Sequence, residues 1–387
     1  MARAVGVGVV GAGWMGRVHA SAYRRAPEHY PDCPGVARLV AVADESARRA
    51  QEAVDIFGFE VATTEWRAVV EHPDVDAVSI TVPNNLHREV AISAAQAGKH
   101  IWIEKPAGRV PAETAEIAAA VDHTGIRSVV GFNYRQVPAV QHARRLIESG
   151  ALGVIDHFRS QWIAAYAANP QGALTWRFRR DEAGLGILGD LGSHAVDLAQ
   201  LLLGPIARVT ARTQTVVRRR PLPTSEGTHF AVSANVELAA VENEDVAWSL
   251  VEFEQGVTGT IEASRVAVGP QARYAFEVHG SRGAAAWDFE RMGELSVFLP
   301  LESGDAGYAR VVMGPQYDPF GHFQPGPGLP MSFDDLKVAE AALFLQSVVD
   351  GEQREPGMRE ALAAARVIAA LERSASSDGW VNVRDAL

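Results

Sequence analysis

Residues 5–16 of the chain have the sequence VGVGVVGAGWMG, and this stretch decides the fold. It contains two overlapping G-x-G-x-x-G patterns, the first starting at Gly6 and the second at Gly11. A dinucleotide-binding loop of this kind must follow a strand and open a helix. The second pattern meets both conditions, because Val5–Val10 is typical of a buried strand and the stretch after Gly16 is typical of a helix.

Each glycine of the second pattern has a predicted task. Gly11 makes the tight turn after the strand, Gly13 lets a pyrophosphate approach the backbone, and Gly16 packs the helix against the strand. The free N–H groups at the start of that helix then face the phosphates. The second strand, Leu39–Ala43, runs into Asp44, whose carboxylate is placed to bind the adenosine ribose.

A carboxylate at Asp44 repels a 2′-phosphate, so we expect NAD rather than NADP as the cofactor. Asp44 follows the glycine loop at more than the usual spacing of about 20 residues, because a proline-containing insert at 27–34 precedes it. Two alternatives stay open: Asp44 is also placed to cap the next helix, and Arg48 and Arg49 would weaken the repulsion of a 2′-phosphate.

The first third of the chain alternates short apolar runs with helical stretches, which predicts a doubly wound parallel sheet. The predicted strands are Val5–Val10, Leu39–Ala43, Ala77–Val82, His100–Ile103 and Ser128–Phe132. After about Arg135 the pattern changes to a helix, a Trp-containing loop and a glycine-rich run. We therefore place a dinucleotide-binding Rossmann domain at 1–135, with the boundary near Asn133–Pro138, and a second domain at 136–387.

The second domain is predicted to hold an open-faced mixed sheet, because strand follows strand with short turns. The predicted strands are Val209–Val217, Ala231–Leu238, Val246–Phe253, Val257–Ala263, Tyr274–Val278, Ala284–Phe289 and Leu295–Leu299. The basic stretch Arg218–Pro223 is interpreted as a solvated loop. Two amphipathic helices follow within about 332–375.

Composition narrows the classes of function. The 387 residues are 47% hydrophobic and carry a net charge of −11, which disfavours nucleic acid as a partner. The single cysteine, Cys33, excludes an internal disulfide framework and a cysteine-based metal site. No apolar run reaches the roughly 18 residues of a membrane span, and the N-terminus does not resemble a signal peptide. We therefore expect a cytoplasmic protein without membrane partners.

The segment His100–Pro106 predicts a buried strand that ends in Glu104-Lys105-Pro106. The proline cannot continue the strand, so Lys105 is presented at the carboxyl end of the sheet, where ligands bind in open α/β folds. A lysine there would lie near a bound nicotinamide. The alternative, an ordinary surface lysine, is left open by the position alone.

A second unusual stretch is the glycine-rich run from Gly184 to Asp197. Asp190, His194 and Asp197 are spaced to share one face of a helix. The alternatives are that Asp190 caps the helix and that His194 is an ordinary core histidine. No paired-histidine spacing is present, and we expect no metal.

Taken together, the motifs resemble the Gfo/Idh/MocA family of NAD(P)-dependent sugar and cyclitol dehydrogenases over nearly the whole chain, most of all its levoglucosan and inositol dehydrogenases. The matching segments are Gly11–Gly16, Val82–His87, Glu104–Pro106, Gly131–Arg135, Trp176–Phe178 and Asp190–Asp197. Val82 stands where the family usually has threonine, which removes one hydroxyl near the cofactor. The family's second domain serves oligomerisation, and its C-terminal helices fold back on the first domain.

The resemblance implies roles for individual residues. The catalytic group is Lys105, Asp190 and His194, and either Lys105 or His194 takes the hydroxyl proton. The expected cofactor contacts are Gly11, Gly13, Trp14, Met15, Gly16, Asp44, Pro83, Asn84, His87, Glu104, Lys105 and Arg177. The expected substrate contacts are Lys105, Asn133, Arg135, Trp162, Tyr166, Trp176, Asp190 and His194, since aromatic rings suit a sugar ring and polar groups its hydroxyls.

The predicted function is NAD-dependent oxidation of a secondary hydroxyl of a sugar, anhydrosugar, glycoside or cyclitol by a homo-oligomer, a dimer or tetramer. One alternative is an NAD(P)H-dependent ketoreductase of sugar biosynthesis, which would use the same residues in reverse. Another is a non-catalytic dinucleotide-binding sensor, which would have no need of Lys105 together with His194.

Overall fold

A computed structural model describes residues 2–224, 232–300 and 307–387. The chain divides into two compact units. The first comprises residues 1–136 and 331–362, and the second comprises residues 137–330 and 363–387. In the described ranges, no helix has both the length and the apolar character to cross a membrane.

The first unit contains a six-stranded parallel sheet in the order β3-β2-β1-β4-β5-β6. This is the strand order of a dinucleotide-binding doubly wound fold, as predicted. The strands are β1 Arg3–Val10, β2 Gly35–Ala43, β3 Val61–Thr63, β4 Ala77–Ile80, β5 His100–Ile103 and β6 Ser128–Val130. The helices between them are α1 Trp14–His29, α2 Ala47–Phe57, α3 Trp66–Val70, α4 Asn84–Gln96 and α5 Pro111–Thr124. The central strands are apolar and buried because helices lie on both faces.

The second unit contains a nine-stranded mixed sheet in which β7 and β12 are parallel and the other neighbours are antiparallel. The helices before and beside the sheet are α6 Pro138–Glu148, α7 Arg180–Ala183 and α8 Ser193–Leu203. The strands are β7 Ile155–Ala164, β8 Ile206–Gln214, β9 Arg219–Pro221, β10 Leu238–Ala240, β11 Val246–Phe253, β12 Thr258–Ser264, β13 Ala272–Gly280, β14 Ala284–Asp288, β15 Glu294–Phe298, β16 Ala309–Val312 and β17 Val381–Asn382. Strands β9 and β10 pair separately.

Two strand-level predictions for the second unit need correction. Arg218–Pro223 was expected to be a solvated loop, but β9 runs through it and Arg220 is only 1% exposed. The Arg220 guanidinium donates to the carbonyls of Ala167 and Asn169, so its charge is satisfied in the interior. The strand expected at Ala231–Leu238 begins outside the described residues, and its described part becomes a strand only at Leu238.

The C-terminal helices are α9 Phe333–Asp350 and α10 Met358–Ser377. Helix α9 belongs to the first unit and packs against α1. Its N-terminus is a capping box, in which the Ser332 hydroxyl accepts from the Asp335 backbone at 3.3 Å and the Asp335 carboxylate accepts from the Ser332 backbone at 2.8 Å. These two bonds define where α9 starts, and with it the position of the side chains that α9 buries.

Replacement of Ser332 by alanine should destabilise the N-terminus of α9. We expect the free energy of unfolding to fall by about 1 kcal/mol, because one backbone N–H of the first turn loses its acceptor. The measurement is urea unfolding followed by circular dichroism. Ser332→Thr keeps the hydroxyl and is the matched control; equal stability of the two variants would contradict the role of the cap.

Candidate active site

The glycine loop of the first unit has the register predicted from the sequence. Gly11 has φ of +97°, and a side chain there would lie 2.8 Å from the Thr81 backbone. A Cβ on Gly16 would lie 1.8 Å from the Gly11 carbonyl oxygen, which explains the close approach of helix to loop. A Cβ on Gly13, in contrast, would meet no described atom within 4 Å, so the space over this residue is open to a ligand.

Helix α1 begins at Trp14 with Gly13 as its N-cap, and no side chain bonds the N-cap or adds an acid to the first turn. Its first N–H groups therefore suit an anion such as a pyrophosphate. Trp14 is 60% exposed, and its ring lies 5.9 Å from the ring of Phe333. Met15 follows on the same turn. The open space and the uncapped helix fit the predicted dinucleotide.

Asp44 lies at the end of β2, with its side chain directed at the glycine loop. One carboxylate oxygen accepts from the Ala12 backbone at 2.8 Å, and the other accepts from Ser46 N at 2.9 Å and from Arg49 Nε at 2.8 Å. The N-cap of α2 is Ser46, so the alternative that Asp44 caps this helix is wrong. The neighbouring Arg49 partly offsets the negative charge, whereas Arg48 pairs with Glu52.

The segment after β4 connects the glycine loop to the Glu104-Lys105-Pro106 turn. The Thr81 hydroxyl donates to the Gly11 carbonyl at 2.7 Å. The buried His87 ring has its two nitrogens 2.9 Å from the Val82 and Pro106 carbonyls, and burial lowers the pKa of His87. Pro83 is the N-cap of α4, and Asn84 is its buried first residue. His87 thus supports both backbone segments on which cofactor contacts are predicted.

Glu104 directs its carboxylate into the interior of the first unit. Its Oε1 lies 2.6 Å from Lys337 Nζ and 2.9 Å from His19 Nε2. Burial alone would raise the pKa of Glu104, but the Lys337 ammonium and the His19 hydrogen bond hold it well below its usual range. Burial lowers the pKa of His19 to about 4, so this ring is neutral near pH 7. The predicted contact of Glu104 with the cofactor stays a prediction.

Lys105 follows directly and is half-buried at the carboxyl end of β5. Near the end of β6 lie Asn133 and Arg135, on a short 3₁₀ helix. Asn133 is 2% exposed, and its amide Nδ2 meets no hydrogen-bond acceptor in the part of the chain that the structure describes. Arg135 is also buried and lies 3.4 Å from Glu355. An unsatisfied buried donor is costly, so Nδ2 of Asn133 suits a ligand hydroxyl.

In the second unit, Asp190 lies on a single π-helical turn, Leu188–Gly192, that leads into α8. Such turns are frequent at functional sites. The Tyr166 hydroxyl donates to Asp190 Oδ2 at 2.5 Å. Burial, together with the nearby Asp190 charge, raises the pKa of Tyr166 well above its ordinary value, so this residue stays a phenol and a donor.

His194 and Asp197 follow on α8, and both are buried. The Tyr274 hydroxyl donates to the His194 backbone carbonyl at 2.6 Å. The Tyr274 ring is stacked on Trp162 with centroids 5.6 Å apart, and the Trp162 side chain is therefore part of the wall that supports α8. This contact explains the burial of Trp162, whose role toward a substrate stays a prediction.

Trp176 and Arg177 lie on a 3₁₀ turn, with the Arg177 guanidinium 4.3 Å from the Trp176 ring centroid. Hydrogen bonds hold this turn in place, and they come from residues that were not predicted from the sequence. Asn243 Nδ2 donates to the Arg177 carbonyl at 2.9 Å, and Arg265 donates to Asn243 and to Asp245. The carboxylate of the adjacent Glu244 accepts from Leu188 N at 3.0 Å and so supports the start of the π turn.

Each missed group left a signal in the sequence. The tripeptide Asn243-Glu244-Asp245 enters an apolar strand, and three consecutive polar residues there indicate a buried hydrogen-bonding centre. Lys337 is one of only three lysines among 36 basic residues, which marks it as unusual. Neither signal is a local motif, and neither shows which residue the polar group bonds in the folded chain.

Comparison with known proteins agrees with this geometry. Residues 5–132 match the family described as "Oxidoreductase family, NAD-binding Rossmann fold", and residues 140–286 match the "GFO/IDH/MocA C-terminal domain". Levoglucosan dehydrogenase of Pseudarthrobacter phenanthrenivorans is 35% identical over 97% of each chain, and inositol 2-dehydrogenase of Rhizobium meliloti is 27% identical over 97% of this chain and 98% of the other.

Among solved structures, levoglucosan dehydrogenase in complex with NADH and levoglucosan superposes with a TM-score of 0.93 and 34% identity, covering 98% of this chain and 100% of the other. The predicted family, fold class and cofactor are thereby confirmed. The chain belongs to the Gfo/Idh/MocA family of oxidoreductases and carries its NAD-binding Rossmann domain.

Proposed function

We propose that this oxidoreductase removes a hydride from a secondary carbinol of a sugar, anhydrosugar, glycoside or cyclitol and passes it to NAD. The observation that carries the proposal is that both parts of an acid–base set are present. Lys105 lies at the carboxyl end of β5, and Asp190 and His194 lie at the start of α8. The similarity to levoglucosan dehydrogenase along the whole chain favours a pyranose-like ring as substrate.

Bound NAD supplies the hydride acceptor. The residues of the chain must then remove the hydroxyl proton and stabilise the developing alkoxide. The Lys105 amine and the His194 imidazole are the groups suited to these tasks, since each residue type can take a proton from a hydroxyl or donate a hydrogen bond to an alkoxide. The Asp190 carboxylate orients a substrate hydroxyl, and the donor bond from Tyr166 fixes one of its oxygens.

Recognition of the remaining substrate hydroxyls falls to buried polar groups. Asn133 offers an amide donor that lacks an acceptor among the described residues. Trp176 and Arg177 form a flat surface of ring and guanidinium, which suits the apolar face of a pyranose. A buried donor that awaits a hydroxyl discriminates strongly against analogues that lack this hydroxyl.

We further propose that the chain forms a homo-oligomer through the exposed face of its nine-stranded sheet. Trp248 is 43% and Leu250 is 45% exposed, and they border a groove of about 420 Å³. Arg159 and Glu277 lie on the same face at adjacent strands, 3.5 Å apart. An exposed surface that combines aromatic, aliphatic and paired charged side chains is typical of a contact between copies of one chain.

Replacement of Lys105 by alanine should lower kcat with the best substrate of a sugar and cyclitol panel by roughly a hundredfold or more, the scale of a lost acid–base group. NADH affinity, measured by fluorescence titration, should change little. Lys99→Ala is the matched control, because the acceptors of the Lys99 amine among the described residues are the carbonyls of His72 and Val75. Unchanged turnover by Lys105→Ala would remove this lysine from the mechanism.

The Asp44 carboxylate should make the enzyme prefer NAD. We expect kcat/KM with NAD to exceed that with NADP by about tenfold or more, and Asp44→Ala to reduce this ratio, because the repulsion of a 2′-phosphate disappears. Asp55→Ala, on the same unit but paired with Gln51, should leave the ratio unchanged. A wild-type preference for NADP would refute the assignment of Asp44.

A glutamate at position 248 should disrupt the oligomer. Trp248→Glu places an unpaired charge in the centre of the proposed contact, so the molar mass measured by light scattering should fall toward the monomer value of 41.5 kDa. Val154→Glu changes a 76% exposed valine elsewhere and should keep the wild-type mass. A monomeric wild type would exclude this interface.

A further inference from the structure

Lysine is scarce in this chain, and one of the few lysines is buried. Only Lys99, Lys105 and Lys337 occur among 36 basic residues, the rest being arginine. An ammonium is a compact point charge, whereas a guanidinium is a planar fork that needs more room. Lys337 lies on α9 and is 1% exposed, so its ammonium is an interior charge.

The Lys337 ammonium lies between two carboxylates. Its Nζ is 2.6 Å from Glu104 Oε1 and 2.8 Å from Glu340 Oε2, and Glu340 is fully buried. The Trp102 ring is 5.7 Å from the ammonium and stacks on His19 at 3.6 Å. Burial alone would lower the pKa of Lys337, but the two carboxylates raise it. The cluster of His19, Glu104, Lys337 and Glu340 therefore holds an ammonium between two carboxylates inside the first unit.

Stability alone does not explain such a cluster. Replacement of a buried ion pair by apolar or neutral residues of similar size is often neutral or stabilising, whereas removal of one partner typically costs about 3–5 kcal/mol. A buried ionic cluster is thus weak evidence for stability, and an attested use of such clusters is to fix the position of neighbouring segments. The segments next to this cluster therefore show what it can hold in position.

The segment next to the cluster is the backbone on either side of Lys105. Glu104 directly precedes Lys105, and its own N–H bonds the Ile80 carbonyl at 3.0 Å. On the other side, the Pro106 carbonyl is held by His87 at 2.9 Å. Lys105 therefore stands between two residues that are each fixed from the interior.

Gly131 provides an independent sign that the Glu104 carboxylate must occupy one position. A Cβ at Gly131 would lie 2.6 Å from Glu104 Oε1 and 2.8 Å from its Cδ. Any side chain at residue 131 would thus displace the Glu104 carboxylate. Because residue 131 is a glycine, the Glu104 carboxylate has space at its observed position.

We propose that Lys337 is a positioning residue that acts through Glu104 to fix the strand end from which Lys105 reaches the substrate. This inference rests on the proposed role of Lys105 in proton transfer. It assigns to α9, which lies more than two hundred residues further along the chain, a part in the chemistry at the end of β5.

The test compares kinetics and lysine NMR spectra in a neutralised cluster. The triple variant Glu104→Gln, Lys337→Met, Glu340→Gln removes all three charges together, so no buried charge is left uncompensated. We expect the variant to fold and its kcat to be at least tenfold lower, because a small displacement of a reacting group costs rate. Lys99→Met is the matched control and should retain wild-type kcat.

Selective ¹³Cε labelling of lysine gives three signals in this chain, and Lys105→Ala identifies the one from Lys105. In the unliganded protein, this signal should shift in the triple variant and in Gly131→Ala, which displaces the carboxylate without changing any charge.

A folded triple variant with wild-type kcat and an unmoved Lys105 signal would overturn the proposal. If Gly131→Ala folds and leaves the Lys105 signal unmoved, the proposal fails in the same way. If the wild type oxidises no sugar or cyclitol, the proposed function fails, and the NMR comparison still decides whether Lys337 positions Lys105.

Discussion

The burial of one carboxylate constrains the first unit. Glu104 ends the buried strand β5 and places its charge in the interior, where an isolated carboxylate would not remain ionised. It stays ionised because α9 contributes Lys337 and α1 contributes His19 at hydrogen-bond distance. Two segments distant in sequence, α1 and α9, therefore bond one oxygen atom, Oε1 of Glu104. Gly131 lies against the same carboxylate, where a Cβ would leave it no room.

In the second unit, a buried carboxylate is paired with arginine. Asp245 is fully buried and accepts from Arg265 Nε at 2.8 Å and from the backbones of Val216 and Val217. The Arg265 guanidinium lies 4.6 Å from the Phe178 ring centroid, with the Arg220 guanidinium 4.2 Å from the same ring. This network holds the 3₁₀ turn of Trp176, while Tyr166 fixes the Asp190 carboxylate. In both units, residues proposed to bind or react adjoin buried charged groups that are paired inside the same unit.

The sequence predicted the features that depend on neighbouring residues. The register of the glycine loop, the strand that ends in Asp44 and the strand that ends before Lys105 all follow from local spacing and from apolar runs. The doubly wound class of the sheet also follows, because strand–helix alternation restricts the topology to a few arrangements. The short strand β3, Val61–Thr63, was not among the five predicted strands. Where the prediction was wrong, at Arg218–Pro223, the charge of the segment suggested solvent, and the acceptors that bury Arg220 come from a loop some fifty residues earlier.

Residues that contact a ligand and residues that position those contacts leave different signals in the sequence. A ligand requires the backbone to approach it closely, so its site has local requirements such as glycines, a strand end or a helix start, and these are visible as motifs. A positioning residue requires only that an opposite charge arrive at the right point in space, and any segment can supply it. Lys337 therefore has no motif, and its only mark is compositional: a lysine retained where 33 of 36 basic residues are arginine.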